Sequence, residues 1–363
     1  MGKRKKTRMK VNASKDNEEE SKQHSEQKFT IDDLIQKVEE YIENFNFEMA
    51  EKFCVRILET SPNNVRALNM VAAACLEIGK TDEAICYLKR AVEIEPDKGF
   101  SKYMTLGELL EGQHAVEYLK KGVELMINEK KCFEKEDTDN PCENSDIEKI
   151  TDRDISNAFC SLAEIYLTDF CLAEDAEASC KSYCNEAIQH DQNNPDAYQV
   201  MANCLLSEQK NEEAREALLK GMNLWRGIDD PVLKSSRIPS YDSRISLSKM
   251  LIEINEFDTA ADVLGELLSE DDEVVQVWYL LGWNEYLKEQ DYNSVVYYLE
   301  MAQKLFSQSE CDDEPLLEHI NELLLEVKEK LNDHKDFFSN NDAGENSEDD
   351  YNEEEIGSMD TTT

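Results

Sequence analysis

A chain of 363 residues with 80 acidic and 39 basic side chains carries a formal charge of −41, which sets it against nucleic acid, whose phosphates it would repel over most of its surface. Its eleven cysteines are odd in number and scattered, which reads as free thiols in a reducing compartment and excludes a disulfide framework. No run approaches the roughly twenty apolar residues that cross a bilayer, and the N-terminus lacks the apolar core of a signal peptide, so a protein of cytoplasm and nucleus, without membrane, is expected.

Residues 1–28 open with Lys3, Arg4, Lys5, Lys6, Arg8 and Lys10 and then turn polar and acidic without an apolar period, which predicts a disordered basic arm and suits a nuclear-import signal. From Phe29 a helical period begins, with Thr30 as N-cap and Asp32 and Asp33 favourable in the first turn. Leu34, Ala50, Ile57 and Pro62 are answered by Leu68, Ala84, Ala91 and Pro96, each 34 residues on. That is the spacing of tetratricopeptide (TPR) repeats, helix pairs that must stack to bury their apolar faces.

The first unit sets Leu34, Val38 and Tyr41 against Ala50, Cys54 and Ile57; the second sets Leu68, Ala72 and Cys75 against Ala84, Leu88 and Ala91, with Gly79 in the turn. A third, shortened unit from about Lys98 to Asn128 sets Leu106, Gly107 and Leu110 against Ala115, Leu119 and Gly122. The charged stretch at about 129–152, broken by Pro141 and Asn144, predicts a solvated loop. A fourth unit pairs Ala163 and Tyr166 with Ala178, Tyr183 and Ala187, and a fifth pairs Tyr198, Ala202 and Leu205 with Ala214, Leu218 and Gly221. Pro231 and Pro239 mark 227–239 as non-helical. A sixth unit sets Leu247 and Leu251 against Ala260, Leu264 and Leu267; a seventh sets Trp278, Leu281 and Gly282 against Ser294, Tyr298 and Ala302. An amphipathic helix from about Glu314 to Leu331 should cap the array, and 336–363 reads as a disordered acidic tail. The expected fold is all-α: one TPR superhelix, an α-solenoid of about seven helix-turn-helix repeats over 29–335, with a C-terminal capping helix.

No catalytic constellation is visible, and no cofactor or metal is called for. Cys180 and Cys184 lie one turn apart with His190 nearby, but a structural zinc site needs four ligands and no second pair exists, so buried cysteines acting as small apolar residues are the better reading. The concave face of a solenoid is its usual binding face. There the first two units offer Ile35, Glu39, Asn69 and Ala73, which lack the cationic clamp that some TPR proteins use for chaperone C-termini. The face instead carries Asp32, Glu39, Glu43, Glu77, Glu164, Asp169 and Glu253, the right sign for lysine and arginine. Tyr279 and Trp283 complete the expected partner-binding set; of Trp278 and Trp283, which as aromatic residues are more often core, Trp283 falls nearer the inner face.

The run Ala163-Glu164-Ile165-Tyr166-Leu167-Thr168-Asp169-Phe170-Cys171 with Ala176-Glu177 and Cys180, and the run Glu270-Asp271-Asp272-Glu273-Val274-Val275 leading to Trp278-Tyr279-Leu280-Leu281-Gly282-Trp283, resemble segments of the dedicated assembly chaperones of large-subunit ribosomal protein L-four. So do Lys102-Tyr103, Leu106-Gly107-Glu108-Leu109 and Lys121-Gly122. The resemblance implies a monomeric TPR chaperone that captures the newly made basic ribosomal protein, shields its long basic internal loop, and escorts it to nuclear pre-ribosomes. A scaffold joining subunits of a larger complex and an enzyme-associated regulatory subunit are the alternatives; the chaperone reading requires an acidic inner face, whereas the scaffold reading does not.

Overall fold

The computed structural model describes residues 30–136, 149–228, 230–309 and 312–342; the basic run Lys3–Lys10 and the acidic tail past 342 lie outside them. These residues form sixteen α-helices, with no strand among the described residues. They pair as α1 (Ile31–Glu43) with α2 (Phe47–Thr60), α3 (Val65–Glu77) with α4 (Thr81–Ile94), α5 (Ser101–Leu109) with α6 (Gly112–Glu136), and α7 (Asp152–Leu167) with α8 (Ala176–His190). Then come α9 (Pro195–Ser207) and α10 (Asn211–Asn223), the short α11 (Pro231–Arg237), α12 (Tyr241–Glu253) and α13 (Phe257–Glu270), α14 (Val275–Lys288) and α15 (Tyr292–Gln308), and α16 (Glu314–Asp342). The fold is the all-α TPR solenoid. The sequence reads as one continuous array; the structure divides the chain into two compact units, 1–197 and 198–363.

Local chemistry sets the helix ends. Thr30 caps α1 in a reciprocal box, its Oγ1 accepting from the Asp33 N–H at 3.1 Å while Asp33 accepts from the Thr30 N–H at 2.8 Å; Thr151 and Asp154 repeat the device at α7. Within helix pairs one residue turns left-handed: Phe45, Gly79, Gln209, Asn255 and Glu289 have φ of 56°, 77°, 62°, 62° and 54°. The first four share one bonding scheme, in which the left-handed residue bonds back three residues and its successor five, as Phe45 N to Ile42 O at 3.0 Å and Asn46 N to Tyr41 O at 2.8 Å. This closes the helix carbonyls and reverses the chain.

Close approach of the two helices holds each pair together. Val38, Ala50, Ala67, Ala84, Ala91, Ala163, Ala187, Ala202, Ala214 and Ala260 are fully buried. At Gly107 a Cβ would come within 2.3 Å of Leu119 Cγ, and at Gly282 within 2.7 Å of Leu299 Cδ2. The shortened third repeat is fixed by Lys102, 2% exposed, whose ammonium donates to the carbonyls of Glu95 at 2.5 Å and Lys98 at 2.7 Å, and by Tyr103, whose hydroxyl donates to Pro96 O at 2.6 Å.

Several expectations are corrected. Helix α6 continues through 129–136, part of the expected loop, because this stretch holds helix formers and no breaker; Glu129 there accepts from the Gly99 N–H at 2.9 Å and Lys130 pairs with Asp152. The stretch 227–239 contains α11, since Pro231 stands at its first turn behind an Asp230 N-cap, where proline is compatible with a helix. Helix α16 runs to Asp342, past the expected end at Leu331 and into the expected tail, the first downstream glycine being Gly344. In α8 the buried face is Ala176, Cys180, Cys184 and Ala187, with Ala178 exposed; in α15 it is Val295, Leu299 and Ala302, one step from Ser294 and Tyr298.

Replacing Gly107 by alanine should lower stability by about 1–3 kcal/mol through overpacking. Gly265→Ala, where a Cβ meets nothing within 4 Å, should raise it by about 0.5–1 kcal/mol. Urea unfolding of the two variants beside the parent reads both.

Candidate functional site

Burial of one small residue on each first helix fixes what the next residue does. In the first unit the buried residues are Val38, Ala72, Gly107 and Ala163, and the next residues are Glu39, Ala73, Glu108 and Glu164. One step along a helix rotates a side chain by about 100°, so these neighbours leave the helix-pair contact and share a face. Three of the four are glutamates. A second glutamate row closes the helices: Glu43 ends α1, Glu77 ends α3 and, in the second unit, Glu253 ends α12, each exposed and each without a basic residue in its last turn. Acidic groups at helix C-termini work against the helix dipole, so helix stability does not explain them.

Neighbouring repeats answer these groups differently. Glu39 of α1 pairs with Arg66 of α3. Glu164 of α7 instead faces the field of Asp196 in the first turn of α9, still within the first unit; burial, with the Asp196 charge added, raises its carboxyl above the usual carboxylate range. Glu108 is likewise raised by burial. Both side chains remain solvent-accessible. The turn before α9 is tied to α7 and α8: Asn194, fully buried, donates to Ser156 Oγ and to Asn157 Oδ1, both at 2.8 Å, and Ser156 donates to Ala187 O at 2.8 Å.

The other expected residues sit as follows. Asp32 is exposed in the first turn of α1. Asp169 accepts from the Gly112 N–H at 2.7 Å, at the turn where the third repeat is shortened. Tyr279 and Trp283 belong to the second unit and pack on α16: the Tyr279 hydroxyl meets His319 Nδ1 at 2.9 Å, and the Trp283 ring lies 5.3 Å from that of His319 and stacks on Tyr286 at 5.5 Å. Both are half-buried. The run at 270–283 is largely a joint: Glu270 holds the 4% exposed Arg244 through two bonds of 2.6 and 2.7 Å, and Trp278 Nε1 donates to Asp272 O at 2.8 Å. The Arg244 guanidinium lowers the Glu270 carboxyl below its ordinary value.

Glu51, Cys75 and Glu83 bring their ligand atoms within 4.8 Å of one another. The Lys80 ammonium sits 2.5 Å from Glu51 among them, and burial pushes the Cys75 thiol up to about 11, so the arrangement is a paired cation and a protonated thiol. Cys180 and Cys184 are fully buried helix-packing residues. Sequence reasoning missed Glu108 and Asp196. Glu108 was accessible through its register, since it follows Gly107 as Glu39 follows Val38; Asp196 carried no signal, its influence on Glu164 arising only in the folded first unit.

The helix pairs and this face define a TPR binding protein, and residues 65–98 match the model of the tetratricopeptide repeat. The chain is 31% identical to a Schizosaccharomyces pombe protein named probable assembly chaperone of rpl4, over 71% of this chain and 79% of the relative. It is 27% identical to an Emericella nidulans protein of the same name, over 78% of this chain and 77% of the relative. A solved structure titled assembly chaperone of RpL4 (Acl4) superposes with a TM-score of 0.64 at 27% identity, covering 71% of this chain and 96% of that one. The chain belongs to the family of rpl4 assembly chaperones. A Cut9–Hcn1 structure, at 12% identity and a TM-score of 0.51, shares the fold alone.

Because the Glu164 pKa is raised in the folded protein, this group favours folding below the ordinary carboxylate pKa, and the contribution is lost as pH rises through the raised value. Glu164→Gln should therefore raise the melting temperature at pH 7, with the gain closing below roughly pH 4. Melting curves across that range check the sign.

Proposed function

We propose that this protein is a dedicated chaperone of the large-subunit ribosomal protein rpl4, holding lysine- and arginine-rich segments of the newly made client on the acidic first-helix face of its first unit. The observation that carries the reading is the repeated glutamate after the buried small residue, Glu39, Glu108 and Glu164, joined by Asp196, in a chain whose relatives are named for rpl4 assembly. A carboxylate that is costly in the free protein becomes favourable once a client cation stands beside it. A ribosomal protein's cations are made for RNA, and an acidic wall occupies them until RNA competes. The job is binding, not catalysis, and the client is met by a monomer that does not itself bind nucleic acid. The run Lys3–Lys10 supports passage from cytoplasm to nucleus with the client.

Reversing Glu77, Glu108 and Glu164 to lysine should weaken rpl4 binding about tenfold or more at low salt, three exposed pairs each contributing up to about 1 kcal/mol. The loss should shrink as salt rises. Calorimetric titration of recombinant rpl4 into the folded triple variant tests this, and full affinity with the fold intact would overturn it.

A further inference from the structure

The five left-handed turns with φ between 54° and 77° carry glycine, asparagine, glutamine and glutamate at four places and phenylalanine at the fifth, Phe45. A bulky aromatic is an outlier in that conformation. Packing does not account for it, because Phe45 is 81% exposed. Its ring meets the half-buried Phe47 edge-on, centroids 6.2 Å apart at 83°, and Phe47 is itself seated on the core of the first repeats. The exposed ring is thus propped in place with a face turned to solvent. Backbone strain at a surface aromatic that buries little is the pattern of a residue kept for contact.

Charge says what the contact takes. Of the glutamates around the turn, Glu39, Glu40 and Glu51 pair with Arg66, Lys37 and Lys80, whereas Glu43 and Glu48, on either side of Phe45, are exposed and have no ion pair among the described residues. Elsewhere the protein places its own cations over aromatic faces, Lys220 over Tyr198 at 4.7 Å and Lys330 over Tyr286 at 4.9 Å. Among the described residues no cation stands over the Phe45 ring. We propose that Phe45, with exposed Glu43 and Glu48 on either side, forms a second contact for the basic client, taking a lysine or arginine side chain against the ring while the carboxylates meet its charge. The site lies in the α1–α2 turn, apart from the glutamate row after the buried small residues. It rests on the client reading above and extends it.

Phe45→Asn puts a residue suited to the left-handed turn in place of one that is not, so its melting temperature should equal or exceed the parent's while its affinity for recombinant rpl4 falls about three- to tenfold. Phe45→Trp should keep the affinity. A synthetic peptide of alternating lysine and arginine, titrated in parallel, separates the two readings: peptide binding that depends on Phe45, with no binding of rpl4, would sink the client and leave the cation site. Unchanged affinity of Phe45→Asn for both probes would overturn the site, as would a lowered melting temperature, which would make Phe45 a folding residue. Tighter rpl4 binding by Phe45→Asn would also overturn it.

Discussion

Two helices of one repeat can lie closely against each other only if a small residue stands where they cross, and the direction of the side chains beside it depends on that contact. Gly107 against Leu119 and Gly282 against Leu299 leave no room for even a methyl group. Once that residue is pinned, the rotation of the first helix is fixed, and with it the direction of the side chain that follows. Glu39, Glu108 and Glu164 therefore owe their common exposure to Val38, Gly107 and Ala163, residues that touch no partner. In the second unit the same step gives Asn203, Lys249 and Trp283 after buried Ala202, Ser248 and Gly282. The acidic row is thus a property of the first unit.

A protein that selected only for stability would not keep this row. Glutamates at the C-terminal ends of α1 and α3 oppose the helix dipoles, and Glu164 faces Asp196 where Glu39 faces Arg66. Opposite charge at that place stabilises; like charge costs free energy that a bound cation would return. The difference between the two junctions is the contrast on which the proposed cation-binding face rests.

The residues that carry the family likeness do a different job. Lys102 and Tyr103 tie the start of α5 to the carbonyls before it, Asp169 caps the turn at Gly112, and Glu270 and Asp272 hold Arg244 and Trp278. Lys102, Tyr103 and Asp169 lie where the third repeat departs from regular length, whereas Glu270 and Asp272 lie at a joint of regular length, α12 and α14 beginning 34 residues apart. These joints carry specific hydrogen bonds in addition to the small apolar residues that any TPR protein supplies. Family identity is accordingly legible at the joints.

The 34-residue spacing, the small residues at helix crossings and the acidic balance were all readable from the chain, because helix periodicity and charge are local or additive properties. That was enough for the all-α repeat fold, in which Glu39 and Glu164 follow buried residues of first helices and Glu43 and Glu77 end them. The buried register of α8 and α15 was not, since cysteine or alanine, and valine or tyrosine, fit a helix equally well until a neighbour chooses between them. Nor were the ends of α6 and α16, where nothing in the composition stops a helix. Trp283 and Tyr279 read as contact residues but pack against His319, forty residues away from Tyr279 in α16. The nearness of Asp196 to Glu164, and the solvent-facing ring of Phe45, arise from how separate helices meet. Such meetings are decided by packing in three dimensions, and no local pattern in the sequence records them.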